Sequence, residues 1–144
     1  MKHLAIDYGE KRTGIAVSDT DATMAFPLTT ILMRGKDAFF SELLLLAEAE
    51  RIEAFVVGLP LRENGEESES ARRSRNMALR LKRRSPLPVF LMPENLSSWD
   101  AETRLRDAGK RGKELAKALD KASAAAILES FLALPEDRRR QFLF

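Results

Sequence analysis

The sequence predicts a single α/β domain with three layers, in which a mixed five-stranded sheet is flanked by helices. Apolar runs of strand length recur along the chain, helix-length amphipathic segments separate the later ones, and the first three strand-like runs follow one another without a helix. A chain of 144 residues is long enough for one such domain with a hydrophobic core. We assign residues 1–135 to this domain and residues 136–144 to a short, exposed C-terminal tail.

Three early strands are predicted to form a meander. Residues 2–7 alternate in polarity as a half-buried strand does, and residues 13–18 repeat the pattern after a charged, glycine-containing turn. A third strand is predicted over residues 25–32, where Pro27 indicates a position at the edge of the sheet.

Helices and strands alternate in the middle of the chain. An amphipathic helix is predicted over residues 36–51, followed by a uniformly apolar strand over residues 54–58 that suits parallel pairing with the first strand. A charged helix with a thin apolar stripe is predicted over residues 68–84. The prolines after it indicate a helix end before a fifth strand over residues 89–92.

Two more helices are predicted in the last third of the chain. Ser97 precedes Asp100 by three residues, as in a capping box, and this start predicts a helix over residues 97–108. Residues 109–113 are basic and punctuated by glycine, which indicates a loop. A last helix is predicted to open at Asp120 and to end near residue 133.

The composition excludes several kinds of site. The absence of cysteine excludes disulfides and cysteine-ligated zinc, and a single histidine excludes a histidine-rich metal centre. Any bound metal would therefore have oxygen ligands, which favours Mg²⁺ or Mn²⁺. The sequence has neither a run long enough to span a membrane nor a signal peptide, so a cytoplasmic location without membrane contact is expected.

The distribution of basic residues is more informative than the net charge of +2. Two clusters, at residues 72–84 and 110–117, are able to neutralise phosphates and release counterions. For any one of these residues a solvated helix face is the simpler interpretation. Together they favour nucleic acid as the partner, while the oligomeric state is not fixed and a homodimer is compatible with the sequence. The candidate substrate-binding residues are Lys11, Arg12, Arg72, Arg73, Arg75, Lys110, Arg111 and Lys113.

Three acidic residues are the candidate catalytic and metal-binding groups. Asp7 ends the first apolar run, Glu94 follows the fifth strand, and Asp120 shares a helical face with apolar residues that a sheet would cover. Each has a simpler explanation on its own: Asp7 suits a turn cap, and Asp120 suits a helix N-terminus stabilised by the macrodipole. Considered as a group, they favour a metal site, because divalent cations relieve the electrostatic repulsion between carboxylates that lie close together.

Four segments, spanning nearly the whole chain in order, resemble the signatures of the YqgF/RuvX family: residues 6–19, 56–65, 94–98 and 119–128. The resemblance implies an RNase H-like fold related to the RuvC Holliday junction resolvases. It also implies a nuclease, either for maturation of the 16S rRNA 5′ end or for junction resolution. By position, the family's metal-binding acids correspond to Asp7, Glu94 and Asp120.

Our hypothesis is a metal-dependent endonuclease that uses two Mg²⁺ or Mn²⁺ ions on structured RNA or branched DNA. Similar proteins commonly read Asp-Glu-Arg where this chain has Pro93, Glu94 and Asn95, so the alternative is a nucleic-acid-binding module with a weak or inactive site. A third hypothesis is an actin-like ATPase, because Asp7-Tyr8-Gly9 resembles the first phosphate loop of that superfamily. Such enzymes need two subdomains, for which this chain is too short.

Overall fold

The computed structural model describes residues 1–62, 64–94, 109 and 112–144. Within these residues no helix is both long and apolar enough to cross a membrane. In chain order the elements are β1 (His3–Asp7), β2 (Arg12–Ser18), β3 (Ala25–Leu32), α1 (Lys36–Ala49), β4 (Ala54–Pro60), α2 (Glu69–Arg84), β5 (Val89–Glu94), α3 (Gly112–Leu132), α4 (Glu136–Arg139) and a final 3-10 turn (Arg140–Phe142).

The five strands form one mixed sheet in the order β3-β2-β1-β4-β5. β1, β2 and β3 pair antiparallel, which confirms the predicted meander, and Pro27 does lie on an edge strand. β4 pairs parallel with β1, as expected from its uniformly apolar sequence, and β5 pairs parallel with β4. The parallel strands β1, β4 and β5 therefore end at the same edge of the sheet.

Helices cover both faces of the sheet, which confirms the three-layer prediction. On one face of the sheet, α1 and α2 bury large side chains such as Phe39, Leu43 and Leu81 against β1, β2 and β4. On the other face, α3 packs against the small residues Ala5 and Ala16. Because small side chains let a helix approach a sheet closely, α3 lies near the backbone of the central strands.

Helix α2 begins where the sequence predicts. The Ser68 hydroxyl accepts a hydrogen bond from the Ala71 amide at 3.1 Å and donates one to the Pro60 carbonyl at 2.9 Å. This cap satisfies an otherwise free amide of the first turn and ties the start of α2 to the end of β4.

The predicted start of the last helix is wrong. The prediction opened it at Asp120, whereas α3 begins at Gly112 and places Asp120 in its interior. Residues 113–119 are glutamate, leucine, alanine and lysine, all strong helix formers, and this propensity outweighs the flanking glycines that indicated a loop. The helix predicted over residues 97–108 lies outside the described residues.

The last nine residues keep mostly exposed side chains, yet they return to the sheet. The Phe144 amide donates a hydrogen bond to the Val89 carbonyl at 2.8 Å, and Leu143 forms an antiparallel bridge with Phe90. The Phe144 side chain packs against the core on the α1/α2 side. The tail is thus anchored to β5 at its end.

Gly58 provides a test of how tightly α3 packs on the sheet. A Cβ at this position would overlap the Cδ1 atom of Ile127. We expect Gly58→Ala to lower the free energy of unfolding by about 1–3 kcal/mol. Ile127→Val removes that Cδ1 atom at a cost of about 1 kcal/mol and should relieve the overlap in the double variant. Urea denaturation of the two single variants and the double variant gives the coupling; strictly additive losses would contradict the contact.

Candidate functional site

The three candidate acids come from two strand ends and one helix. Asp7 is the last residue of β1 and Glu94 the last residue of β5, with β4 lying between them in the sheet. Since both strands run parallel to β4, the two acids lie at the same edge of the sheet. Asp120 projects from α3, which crosses this part of the sheet at Gly14, the β2 partner of Asp7.

Asp7 lies in a negative and largely buried environment. Burial first, and then the charges of Asp120 and Glu94, raise the pKa of the Asp7 carboxyl from its ordinary 3.8 to about 7. The fold thus brings Asp120 and Glu94 within electrostatic reach of Asp7. A bound cation would relieve the repulsion between these carboxylates.

Glu94 is fixed through both its backbone and its side chain. Its carbonyl accepts a hydrogen bond from the Leu61 amide at 2.9 Å, which continues the β4–β5 pairing. Burial raises the pKa of the Glu94 carboxyl, and a hydrogen bond with the Ser130 side chain on α3 offsets part of that rise. Ser130 is therefore a neighbour of the site that the sequence did not indicate.

Asp120 is oriented by Arg12 instead of by a helix terminus. The Arg12 Nε donates a hydrogen bond to the Asp120 Oδ2 at 2.8 Å, across 108 residues of sequence. A Cβ on Gly14 would overlap the Asp120 carbonyl, so this glycine permits the close approach of α3. Gly14 is the second contributor that sequence reasoning missed; its place in the interior of a strand was the available signal.

The chemistry of this donor set fits a hard divalent cation, since its side-chain ligands are all carboxylate oxygens. The described residues do not contain three His, Asp or Glu side chains already grouped closely enough to enclose an ion. One Asp120 oxygen is used by Arg12. The arrangement is therefore a set of neighbouring carboxylates in which Arg12 partly compensates the charge.

The cations next to Asp120 line two adjoining cavities. Lys11, Arg12 and Arg73 line a cavity of about 330 Å³ together with Asp120. Lys11 and Arg12 also line a second cavity of about 250 Å³, together with Lys113. Of the predicted substrate-binding residues, Lys11, Arg12 and Arg73 therefore lie beside Asp120, and Lys113 lines the adjoining cavity.

The remaining predicted cations are placed differently. Arg72 lies 3.7 Å from Glu69 on its own helix, and Arg75 forms an ion pair with Glu67. Neither lines the two cavities beside the acids. Lys110 and Arg111 lie outside the described residues, as does Asn95.

Comparison with known proteins gives a consistent result. Residues 1–134 match the family model described as "RuvX: Holliday junction resolvase". A "Putative pre-16S rRNA nuclease" of Nitratidesulfovibrio vulgaris (strain Miyazaki F) is 57% identical over 139 residues, covering 96% of this chain and 98% of that protein. A protein of the same name from Oleidesulfovibrio alaskensis is 55% identical, with 96% of each chain covered.

The fold has a counterpart among solved structures. RuvC of Thermus thermophilus, solved in complex with a Holliday junction substrate, superposes with a TM-score of 0.53 at 19% sequence identity. The alignment covers 92% of this chain and 94% of RuvC. The strand order and the flanking helices are thus those of the RuvC and RNase H-like fold, as the sequence signatures predicted.

Proposed function

The chain belongs to the RuvX family, and from this membership we propose that it is a metal-dependent endonuclease that cleaves phosphodiester bonds in structured nucleic acid. The observation that carries the proposal is the position of Asp7, which is largely buried at the end of β1 within reach of the Asp120 and Glu94 charges. A buried cluster of this kind is unfavourable for folding unless it binds a cation.

Asp7, Glu94 and Asp120 would hold Mg²⁺ or Mn²⁺. When bound, such a cation neutralises charge on the scissile phosphate and lowers the pKa of a coordinated water; a second cation would complete a two-metal site. The protein's own contribution is orientation: Ser130 positions Glu94, and Arg12 positions Asp120. Arg12 and Lys11 line the cavity beside Asp120 and would contact the phosphate there.

The proposed substrate is a 16S rRNA precursor, because the relatives with more than half of their residues identical to this chain are named "Putative pre-16S rRNA nuclease". We propose its 5′ region as the site of cleavage. Such processing would take place in the cytoplasm. Holliday junction DNA is the alternative substrate, supported by the family description. A two-fold symmetric junction would suit a homodimer, whereas a single cut in RNA needs only one copy of the protein.

The test is cleavage of an end-labelled rRNA precursor and of a synthetic four-way DNA junction in the presence of Mn²⁺. Asp7→Asn preserves shape but removes the central carboxylate, and we expect its cleavage rate to fall about 100-fold or more. Asp21→Asn, an exposed aspartate in a turn, is the matched control and should cleave as the wild type does. Equal rates for the wild type and Asp7→Asn would contradict the proposal.

A second candidate function is nucleic-acid binding without turnover. It is supported by Pro93 and Asn95 beside Glu94, and by the pairing of Asp120 with Arg12. It predicts salt-dependent binding to the same two probes with no product at any Mn²⁺ concentration.

A further inference from the structure

A small basic cavity lies between α1 and α2, next to the loop that follows Asp7. Tyr8, Lys36, Asn76 and Arg80 contribute to its wall, and its volume is about 150 Å³. One water occupies about 30 Å³ in the liquid, so a group of the size of a phosphate fits in this cavity. Lys36 was not among the residues that the sequence indicated, and Arg80 belongs to the basic cluster of residues 72–84 but was not a candidate substrate-binding residue.

This cavity adjoins the one that Asp120 lines. Tyr8 and Arg73 line both the α1–α2 cavity and the 330 Å³ cavity that contains Asp120. That middle cavity in turn shares Lys11 and Arg12 with the cavity next to α3. Three adjoining cavities therefore follow one another from α3, past Asp120, to the space between α1 and α2.

The first and the last of these three cavities are each lined by two basic side chains. Lys113 and Lys117 line the end at α3, and Lys36 and Arg80 line the end between α1 and α2. Polyanionic strands are bound in this way, by positive charges spaced along a groove. Asp120 lines the middle cavity, between the two basic ends.

Helix periodicity explains why only part of the α2 cluster lines these cavities. Arg73, Asn76 and Arg80 are separated by three and four residues and share one helix face. Lys82 is two residues beyond Arg80, about 200° further around the helix, where its ammonium lies 5.0 Å from the Phe144 ring centroid.

Lys36 and Arg80 are also electrostatically available. Arg73 is engaged with Glu10 at 2.9 Å, whereas neither Lys36 nor Arg80 lies within 4.0 Å of a carboxylate of residues 1–62, 64–94 or 112–144. The floor of the cavity includes the buried residues Phe40 and Met77. Low-polarity surroundings strengthen the attraction between these two cations and an anion.

We propose that Lys36 and Arg80 form a phosphate-binding subsite for the nucleic-acid strand that extends from the cleavage position toward α1 and α2. The inference rests on the proposed function, because it assumes that the scissile phosphate lies at the acids. Lys113 and Lys117 would contact the strand on the opposite side. Phosphate contacts of this kind fix register and orientation instead of sequence.

The experiment measures binding of a fluorescently labelled four-way DNA junction and of the rRNA precursor without divalent metal, so that cleavage does not interfere. The proteins are the wild type, Lys36→Ala, Arg80→Ala and the control Lys82→Ala, each checked for cooperative thermal unfolding. We expect Lys36→Ala and Arg80→Ala each to weaken binding about tenfold and to reduce the slope of log affinity against log salt by about 0.7–0.9. Lys82→Ala should change neither quantity.

Equal changes for Arg80→Ala and Lys82→Ala would overturn the subsite, since they would indicate diffuse attraction to α2. Unchanged binding of Lys36→Ala and Arg80→Ala, or no binding by the wild type, would overturn it as well. A different result would reject the nuclease proposal. In that case the variants show the expected changes in binding, but the wild type does not cleave either substrate in the presence of Mn²⁺. Normal cleavage together with unchanged salt slopes would instead reject the subsite alone.

Discussion

Replacing Asp7 by asparagine is expected to stabilise the metal-free protein above neutral pH, by on the order of 2 kcal/mol. Burial and the neighbouring acids raise the pKa of Asp7 from 3.8 to about 7 in the folded protein. Between pH 3.8 and about 7 the folded state therefore retains a proton that the unfolded state has released, and above pH 7 it carries a charge that its surroundings disfavour. An amide at this position removes the charge but keeps the shape and part of the polarity.

The pH dependence follows from the same pKa. Below pH 3.8 the Asp7 carboxyl is protonated in both states and has no effect on stability. Between pH 3.8 and about 7 the unfolded state loses its proton first, so the free energy of unfolding falls as pH rises. The total loss for this group is about 4 kcal/mol at most, and it is complete above pH 7. Urea denaturation over this range should show a shallower decline for Asp7→Asn than for the wild type.

Mn²⁺ should reverse this difference. A cation that binds only the folded protein raises its free energy of unfolding, so the wild type should gain thermal stability from Mn²⁺ while Asp7→Asn gains little. Asp21→Asn, whose side chain is exposed, should behave as the wild type in both measurements. A variant Asp7→Asn that is less stable than the wild type above pH 7 would contradict the assignment of Asp7 as a destabilising buried charge.

Gly14→Ala is expected to lower the free energy of unfolding by about 3 kcal/mol or more. The added methyl group would overlap the Asp120 carbonyl and approach the Lys121 amide. Both are backbone atoms of α3, so no side-chain rotation relieves the contact and the helix must move from the sheet. Gly58→Ala is the matched control, because the same substitution in β4, on the other side of β1, meets only the end of the Ile127 side chain.

Two measurements test this expectation. Chemical denaturation gives the loss of stability for both alanine variants, and Ile127→Val should rescue Gly58→Ala but not Gly14→Ala. If Gly14→Ala still folds, the displacement of α3 should separate Asp120 from Arg12 and Asp7. The cleavage rate should then fall by more than the loss of folded protein accounts for. A Gly14→Ala protein with wild-type stability would show that α3 does not lie as close to β2 as described.

The strands and the first two helices were predictable because hydrophobic periodicity determines them directly. Leu4 and Ile6 alternate with polar or small neighbours, and the run around Val56 is apolar throughout; these are the patterns of strands covered on one or both faces. The edge position of β3 was predictable from Pro27, which cannot donate to a second neighbouring strand.

Asp120 shows where sequence reasoning failed in part. Its helical face was correct, since Ala124, Ile127 and Phe131 are buried, but its position in the helix was not. An aspartate at a helix N-terminus is stabilised by the macrodipole, whereas one in the interior needs another partner. That partner is Arg12, which comes from a strand 108 residues earlier. Pairings over such distances depend on the packing of α3 and are not encoded in local patterns.

The cationic cluster of α2 illustrates the same limit. The sequence indicated an affinity for phosphate, but it did not distinguish the arginines of α2 that line the cavities from those that do not. Arg73 lies beside the acids, while Arg75 is paired with Glu67. Only the orientation of α2 on the sheet distinguishes them, and this orientation is set by the burial of Met77, Ala78 and Leu81.

The return of the C-terminus to β5 has a consequence for self-association. β5 is an edge strand, and unpaired edges are templates for the addition of another chain. Leu143 and Phe144 occupy part of that edge through a bridge to Phe90 and a hydrogen bond to Val89. Loss of these last residues, or a fusion that displaces them, would leave this stretch of β5 open to strand addition and so make the protein more prone to aggregate.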